Sequence, residues 1–372
     1  MRIIKIFCLV VILIFSFQIN VNSEELSDEY SEKYYGILSD ELTDGVKEIL
    51  SEAGFDEINF DKFLSASPED IFNFFICCAE GKIATPLKFF IANAGILIIV
   101  SICFSYLSEN EKRKKAVTML VFAYISLGVC VPMSSLLSAG AAAIKLSSNF
   151  MIVFLPILAG IIAASGNPLL ALNYNSLTLY LTEAISSFAK NFLVPFEGMF
   201  FALICVSVIS DTMHIKNLAQ TVKNTVIKTL SVLATMFTAV LSIKGILSNI
   251  ADTVAVKGTK LLVSSVVPII GGSVSDAYAS VVNSLLLLRS SVGIFGIVAI
   301  AAVNLPVITE LVMWSVSMTC SALVADVFSL KNIADFFREV SNVIKTFNAI
   351  LIFCCVLFIV STGILITIKN SV

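Results

Sequence analysis

From Phe89 to Leu107, and again from Ala116 to Leu137, the chain carries no charged side chain. Runs of this length approach the roughly 20 residues that a helix needs to cross a hydrocarbon core of about 30 Å. Lipid offers no hydrogen-bonding partner, so a backbone at that depth must satisfy itself, which continuous apolar runs do as helices. The pattern persists along the chain: 58% of residues are apolar and 14% are charged, with a mean hydropathy of +0.96. An ordinary soluble domain carries about 25% charged residues. The sequence is that of an all-α polytopic membrane protein.

The first residues read as an export signal, 1–23. Arg2 and Lys5 precede a short apolar core from Ile6 to Phe17, and Val21, Asn22 and Ser23 offer a cleavage site. Residues 24–82 then hold 16 Asp and Glu against 4 Lys, whereas the remainder of the chain is net basic. The acidic segment behind an export signal, 24–85, is expected outside the cytoplasm as a small helical region. Glu41 to Ala53, closed by Gly54, reads as one short helix. "SPEDIFNFFICCAE" reads as another, with Ser67 as cap and Pro68 in the first turn.

Lys112, Arg113, Lys114 and Lys115 form a tight basic loop after the first mature apolar run, the mark of a cytoplasmic turn. The first membrane hairpin, 86–148, therefore runs in and back out. Two similar hairpins follow. Phe192–Ser210 and Leu305–Val327 go in, and Thr229–Leu247 and Phe347–Ile368 come out. Their turns share detail: Lys216 matches Lys331, and "VIKT" recurs at 226–229 and 343–346. Leu218, Val222 and Val226 form one apolar face, as do Leu330, Ile333, Phe337, Val340 and Ile344. Both turns are expected to be amphipathic helices at the cytoplasmic interface. Pro195 and Pro306, and Pro156 and Pro268, are also spaced alike, so a tandem internal duplication is inferred, with repeats at 149–260 and 261–372.

Each repeat opens on a short apolar segment broken by Pro and Gly, "FLPILAGIIAASGNP" and "VVPIIGGSVSD". These are expected as short broken or re-entrant segments, giving about eight spans in all. Paired interruptions of this kind point to a substrate pathway in transporters, and equally to close helix packing. Pro156, Gly160, Glu197, Pro268, Gly271, Gly272, Asp276 and Glu310 are the candidate pathway residues. Carboxyl groups within spans are costly, by roughly 2.5–3.5 kcal/mol on insertion scales. Glu183, Lys190, Lys257, Lys260 and Arg289 are expected on the outer side, in a vestibule or at the water boundary. Lys112, Arg113, Lys114, Lys115, Lys216, Lys223, Lys331 and Arg338 are candidate contacts for partners or lipid head groups.

Little in the sequence points to catalysis. His214 is the only histidine, and no Walker loop, HExxH or GxSxG motif is present. No cofactor or metal is implied, and the nine cysteines fall mostly in apolar runs. No nucleic-acid partner is implied.

"LPILAGIIAASG", "VKGTKLLVSSVVPIIGGSVSDAYASVVNSLLLLRSSVGIFGIV" and the order of parts resemble the stage III sporulation protein AE family of endospore-forming Firmicutes. The resemblance implies a multi-pass protein of the mother-cell membrane around the forespore. It also implies a place in a secretion-like channel complex with a secretion-type ATPase and ring-forming proteins. It carries no catalytic residues. A self-contained carrier of a small molecule, built on the duplicated broken segments, is the alternative reading, and a membrane scaffold a third. The orientation is open to a direct test. A phosphatase reporter that works only outside the cytoplasm should be active fused after Val372 and inactive inserted at Glu111; activity at Glu111 would reverse the assignment.

Overall fold

A computed structural model describes residues 36–40, 42–52, 76, 81–106, 111–165, 168–209, 217–240 and 271–367. These residues are almost entirely helical. In chain order they form α1 (Asp44–Glu52), α2 (Ala84–Tyr106), α3 (Glu111–Ala164) and α4 (Pro168–Phe188). A π-helical segment, Ala189–Leu193, joins α4 directly to α5 (Val194–Ile209). Then come α6 (217–240), α7 (Gly271–Val327) and α8 (Lys331–Thr367). Five stretches among the described residues are long and apolar enough to cross a membrane: Ala84–Phe104, Ala116–Ala164, Thr178–Ser207, Leu288–Val327 and Lys331–Gly363.

Several segments expected to be separate are fused. The outgoing helix expected to end at Leu137 and the broken segment expected from Phe150 are both parts of α3, whose 54 residues run through Pro132 and Pro156. A helix of that length is about 80 Å long, against a hydrocarbon core of about 30 Å. Proline deletes one backbone donor, and packing against neighbouring helices holds the rest of the ladder together. α3 ends at Ala164, and Pro168 opens α4 with no donor to lose. Likewise the incoming helix expected from Leu305 is the C-terminal part of α7, 57 residues long with Pro306 inside it. The break expected at Gly271 and Gly272 is the start of that helix, and Pro268 lies outside the described residues. Where about eight spans are expected, the described residues carry five candidate spans, several of them longer than one crossing needs. The expected helix over "SPEDIFNFFICCAE" lies outside the described residues, apart from Ile76.

The interfacial helix expected after Leu330 is also corrected. It is the first part of α8, and its apolar face is not laid on lipid. Leu330, Ile333, Phe337, Val340 and Ile344 are all buried in the protein core. A three-residue turn, Phe328–Leu330, joins α7 to α8. Ser329 takes a left-handed conformation there, with φ 58°, and Leu330 N–H reaches Ala325 O at 2.9 Å. Arg338 fastens the turn by pairing with Asp326 and with Asp335, the latter at 3.0 Å.

The α7–α8 hairpin is the centre of the molecule. Phe336, Phe337, Phe347, Cys354, Cys355 and Phe358 of α8 are fully enclosed. α3 packs across the hairpin, antiparallel to α7: Asn304 Nδ2 donates to Ser147 Oγ at 2.8 Å, and Gly296 lies under the ring of Phe154. α4 and α5 turn back along α3, where Ser148 donates to Glu183 and Gly198 faces Leu137. α2 lies along the C-terminal part of α7, with Phe89 and Trp314 ring centroids 5.2 Å apart and Ser317 Oγ donating to Pro86 O at 2.9 Å. α1, close to where the sequence places a helix, buries Val46 and Leu50 and packs against α7.

The outward faces differ along the bundle. α2 exposes Leu87, Ile91, Ile98 and Ile102, and the first half of α3 exposes Met119, Leu120, Tyr124, Leu127 and Val131. From Ser134 to Asn149 the exposed positions of α3 are Ser134, Ser135, Ser138, Ala142, Lys145 and Asn149, and after them Ile152, Pro156, Gly160 and Ala164 are exposed. Lipid suits the first set and water or polar neighbours the second.

Glycine sets how closely the central helices approach. A side chain at Gly140 would strike Phe347 and Leu351, and one at Gly296 would strike Phe154, whereas Gly160 faces open space. Replacing a helical glycine by alanine normally gains about 1 kcal/mol of helix propensity, while overpacking a core costs about 1–3 kcal/mol. Gly296→Ala should therefore lower the unfolding temperature of the purified protein, and Gly160→Ala should hold or raise it. Equal effects of the two would contradict this packing.

Candidate functional site

One set of polar groups inside the bundle forms a layer across α3, α4 and α7. α3 supplies Ser147 and Ser148 on successive positions, so one hydroxyl faces α7 and the other faces α4. Ser148 donates to the Glu183 carboxylate. Asn304 of α7 donates to Ser147 Oγ and also to Ile300 O one turn earlier, each at 2.8 Å. The Asn304 Oδ1 and Thr182 Oγ1 atoms meet no hydrogen-bond partner among the described residues. Glu183, expected in a vestibule or at the water boundary, is half-buried and tied to α3. Arg289 was expected there too, yet it is enclosed and donates to Leu365 O near the end of α8.

Below this layer lies Glu197, in the first turn of α5. It has no exposure at all, and neither carboxylate oxygen meets a hydrogen-bond donor among the described residues. Lys223 of α6, half-buried, is close enough to act on it electrostatically. A carboxyl group enclosed without hydrogen bonds is costly wherever it occurs, so Glu197 marks the least satisfied point of the interior. The registers put it beside a single turn of α3: Gly198 faces Leu137, and Gly140 faces Phe347 and Leu351. Asn348, also buried and with Oδ1 unpartnered, follows Phe347 on that same level.

The other sequence candidates are not gathered around Glu197. Pro156 and Gly160 share one exposed face of α3. Gly271, Gly272 and Asp276 lie in the first two turns of α7. Glu310, the expected counterpart of Glu197, is half-buried and pairs with Lys82 at 3.1 Å, just before α2. The two glutamates thus have different surroundings. Among the basic candidates, Lys112, Arg113, Lys114 and Lys115 form the first turn of α3 and Lys331 opens α8, exposed. Arg338 is taken up by Asp326 and Asp335, and Lys223 is near enough to Glu197 to act on it through charge alone. Lys216 lies outside the described residues. No group of three His, Cys, Asp or Glu placed to hold a metal ion occurs among the described residues.

Sequence reading missed Ser147, Ser148 and Asn304, which are small polar residues in apolar runs. Their signal was register: only knowledge that 147 faces 304 across two helices makes them a pair.

A profile of the stage III sporulation protein AE family matches residues 66–369. Stage III sporulation protein AE of Bacillus subtilis (strain 168) is 26% identical over 155 residues, 42% of this chain and 39% of that protein. The alignment therefore covers less than half of that relative. No solved structure matches the chain. With the family profile running along α2 to α8, the chain belongs to the stage III sporulation protein AE family.

Proposed function

We propose that this protein is an integral membrane component of the channel complex between mother cell and forespore, needed for spore development after engulfment. The observation that carries the reading is the family match over residues 66–369, which takes in every long helix. A core of long helices, held by apolar packing and without a concentrated set of reactive groups, suits a component of an assembly better than an enzyme. It sits in the mother-cell membrane around the forespore, with the acidic 24–85 region in the space between the two membranes. Its partners are the bilayer and the other proteins of the complex, including a secretion-type ATPase and ring-forming components.

Contacts with cytoplasmic partners fall to Lys112, Arg113, Lys114, Lys115 and Lys331. Arg338 is engaged within the chain. Glu197 favours the alternative, a carrier for a small molecule, because an enclosed carboxyl without hydrogen bonds is often functional in membranes. The pairing of Glu310 with Lys82 weakens it, since the two carboxyl groups do not serve as equivalent halves of one site.

Deleting the gene should leave vegetative growth normal and arrest forespores after engulfment, and reintroducing the wild-type gene should restore spores. Charge reversal at Lys112, Arg113, Lys114 and Lys115 should cut recovery of partner proteins with this chain. Normal sporulation in the deletion strain, with a growth or uptake defect, would remove the channel reading in favour of the carrier.

A further inference from the structure

Two cysteines from different helices meet in the bundle. Cys130 of α3 and Cys205 of α5 are both half-buried free thiols, and the Cys205 thiol donates a hydrogen bond to Cys130 Sγ. A separate contact fixes the same register. Gly198 of α5 faces Leu137 of α3, where a methyl group built on the glycine would lie 3.8 Å from Leu137 Cδ1. From that contact Cys130 is seven residues back along α3, and Cys205 is seven residues on along α5. Seven residues make nearly two full turns. The helices are antiparallel, so the faces that meet at 137 and 198 meet again at 130 and 205.

This pair differs from the other cysteines of the bundle core. Cysteine in an apolar run ordinarily serves as a small hydrophobe. Cys354 and Cys355 do so: both are enclosed in α8, and successive helical residues do not face each other. Cys130 instead lines a groove of about 710 Å³ along α3, together with Ser134, Ser135 and Ser138. Those three serines are exposed, so the groove admits a polar molecule to the thiol. Cys130 lies 15 residues beyond Lys115, about 22 Å at 1.5 Å per residue. With 112–115 on the cytoplasmic side, the serines lead toward the outer side, where disulfides persist.

We propose that Cys130 and Cys205 form a disulfide that staples α3 to α5, made by exchange with a small disulfide that reaches Cys130 along the groove. Cys130 gives up its proton, and its thiolate attacks one sulfur of the external disulfide, R–S–S–R. The S–S bond breaks, and the released thiolate takes up that proton. The mixed disulfide on Cys130 then lies beside Cys205. Cys205 loses its proton and attacks the Cys130 sulfur, and the second RS⁻ leaves with that proton. The chain gives up two electrons and two protons, and the external disulfide is reduced to two thiols. The closed staple holds α5 against α3 about two turns from Glu197, and reduction releases it. Nothing in this inference draws on the family match.

Membranes carrying the full, unsubstituted chain would be treated with bis(hydroxyethyl) disulfide, blocked with N-ethylmaleimide and digested without reduction. Mass spectrometry then reads the peptides that contain Cys130 and Cys205. The expected result is a joined Cys130–Cys205 peptide pair that separates on reduction. In Cys205→Ser the intermediate should be trapped, with a hydroxyethylthio group on Cys130. A hydroxyethylthio group that persists on Cys130 in the unsubstituted chain would show that Cys205 does not lie beside it. Unmodified Cys130 would show that the groove does not admit the reagent, and Cys130 joined to another cysteine would show a different register. Each of these three overturns the proposal. The peptides are read whatever the spore yield, so the staple can fail while the sporulation phenotype stands, and the reverse.

Discussion

The close approach of α3 to the α7–α8 hairpin is the contact on which the rest depends. Lipid tails are as apolar as leucine, so helices in a membrane gain little from hiding apolar surface and associate through tight packing instead. Gly140 and Gly296 provide it, and Gly293 does the same between α7 and α8. Each leaves room that a neighbouring side chain fills, respectively Phe347 with Leu351, Phe154 and Ile366. With α3 seated there, α4 and α5 have a helix to return along, and α6 follows them.

The same contact explains why interior polar groups are tolerated. A hydrogen bond between membrane helices contributes only about 0.6 kcal/mol on average, so Asn304 and Ser147 do little to hold α7 to α3. They mark its register, because a slip of one turn would part them. Glu197 has no such role, since nothing bonds to it.

Much of the architecture was legible in the amino acids. Uncharged runs gave spanning helices, and "KRKK" at 112–115 marks the turn before α3. The spacing of Leu330, Ile333, Phe337, Val340 and Ile344 gave a correct apolar face. What that face meets was not legible: interface and core both want apolar residues at helical spacing, and only packing distinguishes them. Pro156 misled for a related reason. In water proline in a helix is costly, so it reads as a break, yet within a packed membrane bundle neighbours hold the helix together around it. Leu218 is expected to share one apolar face with Val222 and Val226, but those two are buried beside Ala219 and Leu218 is exposed. A single leucine among polar residues leaves the angle of a helix undetermined by one position.

The central claim is that α3 is one unbroken helix seated antiparallel on α7. Its most direct test is a disulfide between Ser147→Cys and Asn304→Cys, positions now joined by a 2.8 Å hydrogen bond. Mild oxidation of membranes carrying the double variant, in a chain with Cys130→Ser and Cys205→Ser, should give a reductant-sensitive shift in mobility, while each single variant should not shift. Absence of that crosslink, with Ser147→Cys joining instead to a cysteine at Leu311 about two turns away, would contradict the register and the unbroken α3 with it.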